Sequence, residues 1–254
     1  MNTQFTKDTP ALSKAEIQFE KTKDYRNVVL IQIVIIVMGL TLSGPILEDS
    51  KSDLSKFIIT VFSGFGAIYT FLLCDLLRNF TKNKVLLFVI FTLLIVTIGV
   101  GILAEFPYYQ FIEVTNRRTL LLLVHSMLFP IELTVIAFAV RDIFAGGYLT
   151  SEKLWGAACV FLMFGISFGS LYDLLSIIDR GGLGTEIELG FPNYSECVRY
   201  SFCILGGLDP GLEPSQLIRN ISVVETIWGT LYSMIIIGRL LGLPRLEDQR
   251  PPNT

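Results

Sequence analysis

The chain is poor in the residues that most enzyme sites are built from. Its 254 residues include one histidine, four cysteines and two tryptophans, and only 17% are charged. With no HExxH and no GxSxG run, the usual zinc-peptidase and serine-hydrolase sites are excluded, and neither enzyme activity nor a cofactor or metal is expected. Cys74, Cys159, Cys197 and Cys203 form no CxxC pair and read first as small packing residues; Cys197 and Cys203 fall on one side of the membrane, so a disulfide between them is the alternative. No basic tract is present and the formal charge is −3, so nucleic acid is not an expected partner. The paired interrupted helices of secondary transporters are missing too.

What the chain has in excess is apolar length. Hydrophobic residues make up 52% and the mean hydropathy is +0.59. A span of about 20 helical residues crosses a bilayer core. Runs of roughly that length occur near Val28 to Ser43, Phe57 to Cys74, Val85 to Leu103, Thr119 to Val140, Leu154 to Ile178 and Ile221 to Leu241. The expected fold is therefore an all-α membrane protein with six transmembrane helices and the lipid bilayer as its surroundings. Positively charged loops stay inside, and six spans place thirteen of the twenty Lys and Arg residues on the side of the termini. Both termini are expected in the cytoplasm, with the chain multi-pass in a cell membrane.

Four regions follow from texture: a polar segment over 1–26, read as a flexible or surface helix; a four-helix unit over 27–142; a last unit over 147–243; and a short tail over 244–254. The last unit is the informative one. About forty residues, Asp179 to Asn220, separate its two helices, and the middle of that segment, Cys197 to Leu205, is apolar enough to be buried. Non-helical backbone at membrane depth is tolerated where protein covers it or where it lines a water-filled path. Helix, short re-entrant helix, glycine-rich turn and helix make the layout of an ion-channel pore.

The residues that sharpen this are Leu149-Thr150, Trp155-Gly156-Ala157, Gly165, Tyr172, the Glu225-Thr226-Ile227-Trp228-Gly229-Thr230-Leu231-Tyr232 run and Arg239-Leu240-Leu241-Gly242-Leu243. In these the chain resembles the prokaryotic six-transmembrane branch of the potassium-channel superfamily, over roughly its C-terminal 100 residues. The resemblance implies a homotetramer in a prokaryotic inner membrane, with the re-entrant pore helix and a filter loop between the last two spans. It also implies that Glu225 braces the loop from behind and that Gly229 is a gating hinge. Close helix packing is an equal reading of Gly229.

At the filter the chain departs from the family. A potassium filter reads Thr-x-Gly-Tyr-Gly-Asp, its carbonyl oxygens replacing the ion's water. Here the aligned stretch is Leu205, Gly206, Gly207, Leu208 and Asp209, without the threonine, the tyrosine or one glycine. An intact carbonyl cage is not expected, so the permeant ion is potassium or sodium, with calcium a further candidate. Asp209 reads either as a carboxylate ring at the mouth or as the start of an Asp-Pro-Gly turn. Residues 179–217 hold six acidic residues, Asp179, Glu186, Glu188, Glu196, Asp209 and Glu213, against Arg180 and Arg199. Such a mouth gathers cations.

The fourth span has no Lys or Arg between Thr119 and Val140, which excludes a charged voltage sensor. His125 and Glu132, on one face, and Asp173 in the fifth span are candidates for an intramembrane switch. The alternatives are a core histidine satisfied by a neighbouring hydroxyl, and an Asp173 that pairs with Arg180 or faces the loop backbone. Pro130 between His125 and Glu132 predicts a kink. The same chain also suits a non-conducting channel relative that senses a signal or regulates a conducting subunit.

Overall fold

A computed structural model describes residues 14–42, 53–81, 83–105, 117–145, 150–187 and 189–242. The described residues form seven α-helices and no strand: α1 Lys14–Leu42, α2 Asp53–Phe80, α3 Lys84–Glu105, α4 Arg117–Phe144, α5 Ser151–Ile178, α6 Phe191–Leu205 and α7 Gln216–Gly242. The described part is thus all-helical, and four of its helices are long and apolar enough to cross a membrane, namely α3, α4, α5 and α7. The first two expected spans lie within α1 and α2, except for Ser43, which is outside the described residues.

α5 is the hub. It packs against α1, α4, α6 and α7, whereas α3 packs chiefly on α2 and α4, and α7 chiefly on α5 and α6. Small residues let α5 serve so many neighbours. A Cβ on Gly156 would press on Tyr25 and Ile143, and one on Gly169 would overlap Val198. The main core gathers Val28, Leu73, Val135, Val160 and Met163, all buried, from α1, α2, α4 and α5. The outward faces of α3 and α7 are apolar and exposed, as at Phe88, Ile95, Trp228 and Ile235, which suits hydrocarbon or another subunit and not water.

α1 does not begin at the membrane. It starts at Lys14 and continues unbroken through Arg26, where the polar segment was expected to end. That polar part is docked: the Lys21 ammonium donates to Asp142 Oδ1 at 2.8 Å, and Tyr25 donates to Asp142 Oδ2 at 3.3 Å. The Asn79 amide donates to Asp24 at 2.6 Å, joining the end of α2 to the same helix. α4 likewise runs as one helix through Pro130, whose carbonyl accepts a 2.7 Å bond from Thr134.

Candidate functional site

The path of α6 organises the site. Its start is fixed by Gly190 as N-cap, at a positive φ of 104°, and by Pro192 in the first turn, where a missing N–H costs nothing. From there α6 runs antiparallel to α5. Asn193 reaches Asp173, Val198 packs on Gly169, and the Ser201 hydroxyl is 2.8 Å from the Gly165 carbonyl. Gly165 is at the middle of the 28-residue α5. A Cβ on it would overlap the ring of Phe202. On the other side, Leu205 meets Gly229, the middle residue of α7.

The chain then returns. Ser215 N–H donates to the Gly182 carbonyl at 2.7 Å, so α7 starts level with the residues just past α5. Thirteen helical residues separate Gln216 from Gly229, a depth of roughly 20 Å. Residues 206–215 climb that distance. α6 and its loop therefore enter and leave from one end of the bundle, with their tip halfway along two membrane-length helices.

Glu225 holds the three elements together. It is fully buried; the Tyr172 hydroxyl of α5 donates to its Oε2 at 2.5 Å, and the Ser201 hydroxyl of α6 reaches its Oε1 at 2.5 Å. Beside it Tyr200 and Ser222 share a 2.8 Å hydrogen bond, and the rings of Tyr172 and Tyr200 meet edge to face at 5.1 Å. A buried carboxylate needs such donors, since an unpaired one costs several kcal/mol. Glu225 thus joins α7 to α5 through Tyr172 and to α6 through Ser201. The sequence pointed to the carboxylate, but the hydroxyls lie 53 and 24 residues away.

At the tip the backbone closes on itself. Leu208 N–H donates to Cys203 O at 2.8 Å, Gly207 N–H to Ile204 O at 3.1 Å, and Gly207 has φ +69°. This is a Schellman cap, with glycine at the left-handed position that other residues avoid. The carbonyls of Cys203 and Ile204 are thereby taken up by the protein's own N–H groups, and Leu208 points its side chain outward, 66% exposed. Asp209 Oδ1 accepts from Gly211 N–H at 2.9 Å, an Asx turn, which is the turn reading of Asp-Pro-Gly. Arg199 ties the loop back by donating to the Pro210 carbonyl at 3.1 Å and pairs with Glu196, so one carboxylate of the acidic mouth is neutralised. Glu188 lies outside the described residues.

Gly229 sits where a Cβ would come 2.6 Å from Leu205 Cδ2, and α7 continues unbroken through it, so close packing accounts for this glycine. His125, Glu132 and Asp173 are all buried, and two of them meet: His125 Nε2 is 2.9 Å from Asp173 Oδ2. Asp173 Oδ1 also accepts from Asn193 Nδ2 at 2.5 Å. Asp173 is therefore engaged by α4 and α6, in place of Arg180 or the loop backbone, and His125 faces a carboxylate where a hydroxyl was expected. Glu132 stands apart from this pair, facing Ser167 and Ser170 of α5. The four cysteines are all unbonded, with Cys197 and Cys203 both on α6.

A cavity of about 160 Å³ lies among α1 to α6, with Tyr69, Thr70, Thr97, His125 and Tyr194 in an otherwise apolar wall. Among the described residues no group of three or more His, Cys, Asp and Glu side chains is placed to hold a metal. Comparison with known protein families, with characterised proteins and with solved structures finds no match to this chain.

Proposed function

We propose that the chain is one subunit of a homotetrameric cation channel of the potassium-channel type, conducting potassium or sodium passively and without a charged voltage sensor. The observation that carries this reading is the depth of α6: a short helix and return loop whose tip stands at the midpoint of two membrane-length helices. Such a loop is tolerated in a bilayer where subunits surround it or where it borders water. In this reading α1 and α2 also span, α6 is the pore helix, and Leu205 to Asp209 line the path. The partial negative charge at the C-terminus of α6 favours a cation beside that path. The Asp209 carboxylates of four subunits ring the mouth, and Glu225 holds the loop at its depth.

A second reading has an observation of its own. The Schellman cap closes Gly206 and Gly207 into a helix terminus and takes up the Cys203 and Ile204 carbonyls just before the proposed path, which favours a relative that assembles like a channel but does not conduct. Purified protein in potassium-loaded liposomes decides between them, by valinomycin-independent flux of potassium, sodium and calcium and by mass of the assembly. Cation flux that changes with Asp209→Asn is the expected result. A tetramer without flux of any ion selects the second reading, and a monomer sinks both. Protease accessibility of tags on the two termini in oriented membranes tests the proposed cytoplasmic placement.

A further inference from the structure

Hydroxyls inside helices normally bond back to the carbonyl four residues earlier. Thr70, Thr92, Thr97, Thr134, Ser222 and Thr226 all do so at 2.7 to 2.9 Å. Ser167 and Ser170 do not. One turn apart on α5, 1% and 0% exposed, they face the carboxylate of Glu132 on α4, itself 0% exposed. The approach stops short of hydrogen bonding: both Glu132 oxygens and both serine oxygens are buried without a hydrogen-bond partner among the described residues.

Four hard oxygens from two helices thus face one another between the middle parts of α4 and α5. The other titratable groups that face Glu132 are His125 of α4, Tyr69 of α2 and Tyr194 of α6, and no Lys or Arg does so among the described residues. His125 is engaged by Asp173. An ionised carboxylate without a partner in such surroundings is costly. A proton on Glu132 would also remove the charge, with Ser167 or Ser170 as its acceptor, and the pH dependence of stability separates the two.

We propose that Glu132, Ser167 and Ser170 form a binding site for one sodium ion, buried between α4 and α5. One carboxylate balances one monovalent charge, and carboxylate and hydroxyl oxygens are the donors hard cations take. A divalent ion would keep a net charge in an apolar interior, and calcium asks for six to eight oxygens. The ion would join α4 to the hub helix, on the side of α5 away from the Glu225 brace. The inference does not depend on whether the α6 loop conducts.

Ligand bound only by the folded state raises stability with the logarithm of its concentration beyond the dissociation constant. The test is therefore thermal unfolding of the purified full chain as sodium chloride replaces N-methyl-D-glucamine chloride at constant ionic strength, with potassium chloride as a second series. Tm is expected to climb with sodium and less with potassium. That slope should vanish in Glu132→Gln, fall in Ser167→Ala/Ser170→Ala, and persist in Asp209→Asn. Equilibrium binding of radioactive sodium to the unaltered chain, expected at one ion per chain, covers the case where the substituted proteins do not fold. A Tm indifferent to sodium but lowered by rising pH would assign Glu132 a proton and overturn the proposal. So would a sodium effect that survives the serine substitutions and is lost in Asp209→Asn, because the ion would then sit in the loop.

Discussion

Glu225 and Glu132 are both fully buried in the middle of long apolar helices, yet their surroundings differ. Glu225 is met by two hydroxyls in hydrogen-bonding geometry and ties α7 to α5 and α6. Glu132 is met by two hydroxyls that stop short of bonding. The first arrangement is complete with protein atoms alone, and it fixes a loop in place. The second leaves four oxygens without a close partner, which is what the proposed ion would satisfy. A buried carboxylate is thus no sign of function by itself; what separates a strut from a site is whether its oxygens are already used.

Substitutions can break that contrast on the strut side first. Glu225→Leu leaves the Tyr172 hydroxyl without its best acceptor and unpins α6, and should cost about 2–4 kcal/mol, read as a lowered Tm and as proteolysis within residues 206–215. Gly229→Ala forces Leu205 aside. Since the clash is with the end of a flexible side chain, the expected loss is about 1–2 kcal/mol; a gating defect at unchanged Tm would instead revive the hinge. Tyr172→Phe keeps the ring packing and the Ser201 contact, so about 1 kcal/mol is expected in the same unfolding measurement.

The bundle side offers a gentler lever. The burial of Lys21 lowers its pKa, but hydrogen bonds and attraction from Asp142 and Glu152 outweigh this and hold it above the ordinary 10.5. A group whose folded pKa is raised stabilises fully below its unfolded value and loses that contribution as pH rises through the folded one. Stability from this contact should therefore persist through neutral pH and fade only above about pH 10.5. Lys21→Met should remove that alkaline limb from a Tm profile against pH while changing neutral stability by less than about 1 kcal/mol. The smallest change in stability belongs to Asp209→Asn, within about 0.5 kcal/mol, because the amide oxygen still accepts from Gly211 N–H. In the proposed channel, by contrast, its effect on flux should be the largest of the set.

The helical plan was legible in hydropathy, because each expected span is long and bounded by charge or turn residues. α6 was legible from the apolar middle Cys197 to Leu205 and the glycines after it, but its start at Phe191 was not. Less was legible where the answer depends on a neighbour distant in sequence. Asp173 has Arg180 seven residues away, two helical turns along, yet packing gives it His125 and Asn193 from other helices. Ser167 and Ser170 read as ordinary small residues until α4 brings Glu132 opposite them. The docking of α1 through Lys21 was hidden for the same reason, since its partners Asp142 and Glu152 follow more than a hundred residues later.

The one-sided seating of α7 has a consequence for how the protein is made. α5 and α6 are synthesised before the helix that supplies Glu225, so Tyr172 and Ser201 are made without their shared acceptor. Until α7 arrives, the α6 hairpin has one wall and an unmet demand for a carboxylate. Insertion and folding of this half are therefore coupled in a fixed order, with the last helix acting as the latch of its own biogenesis.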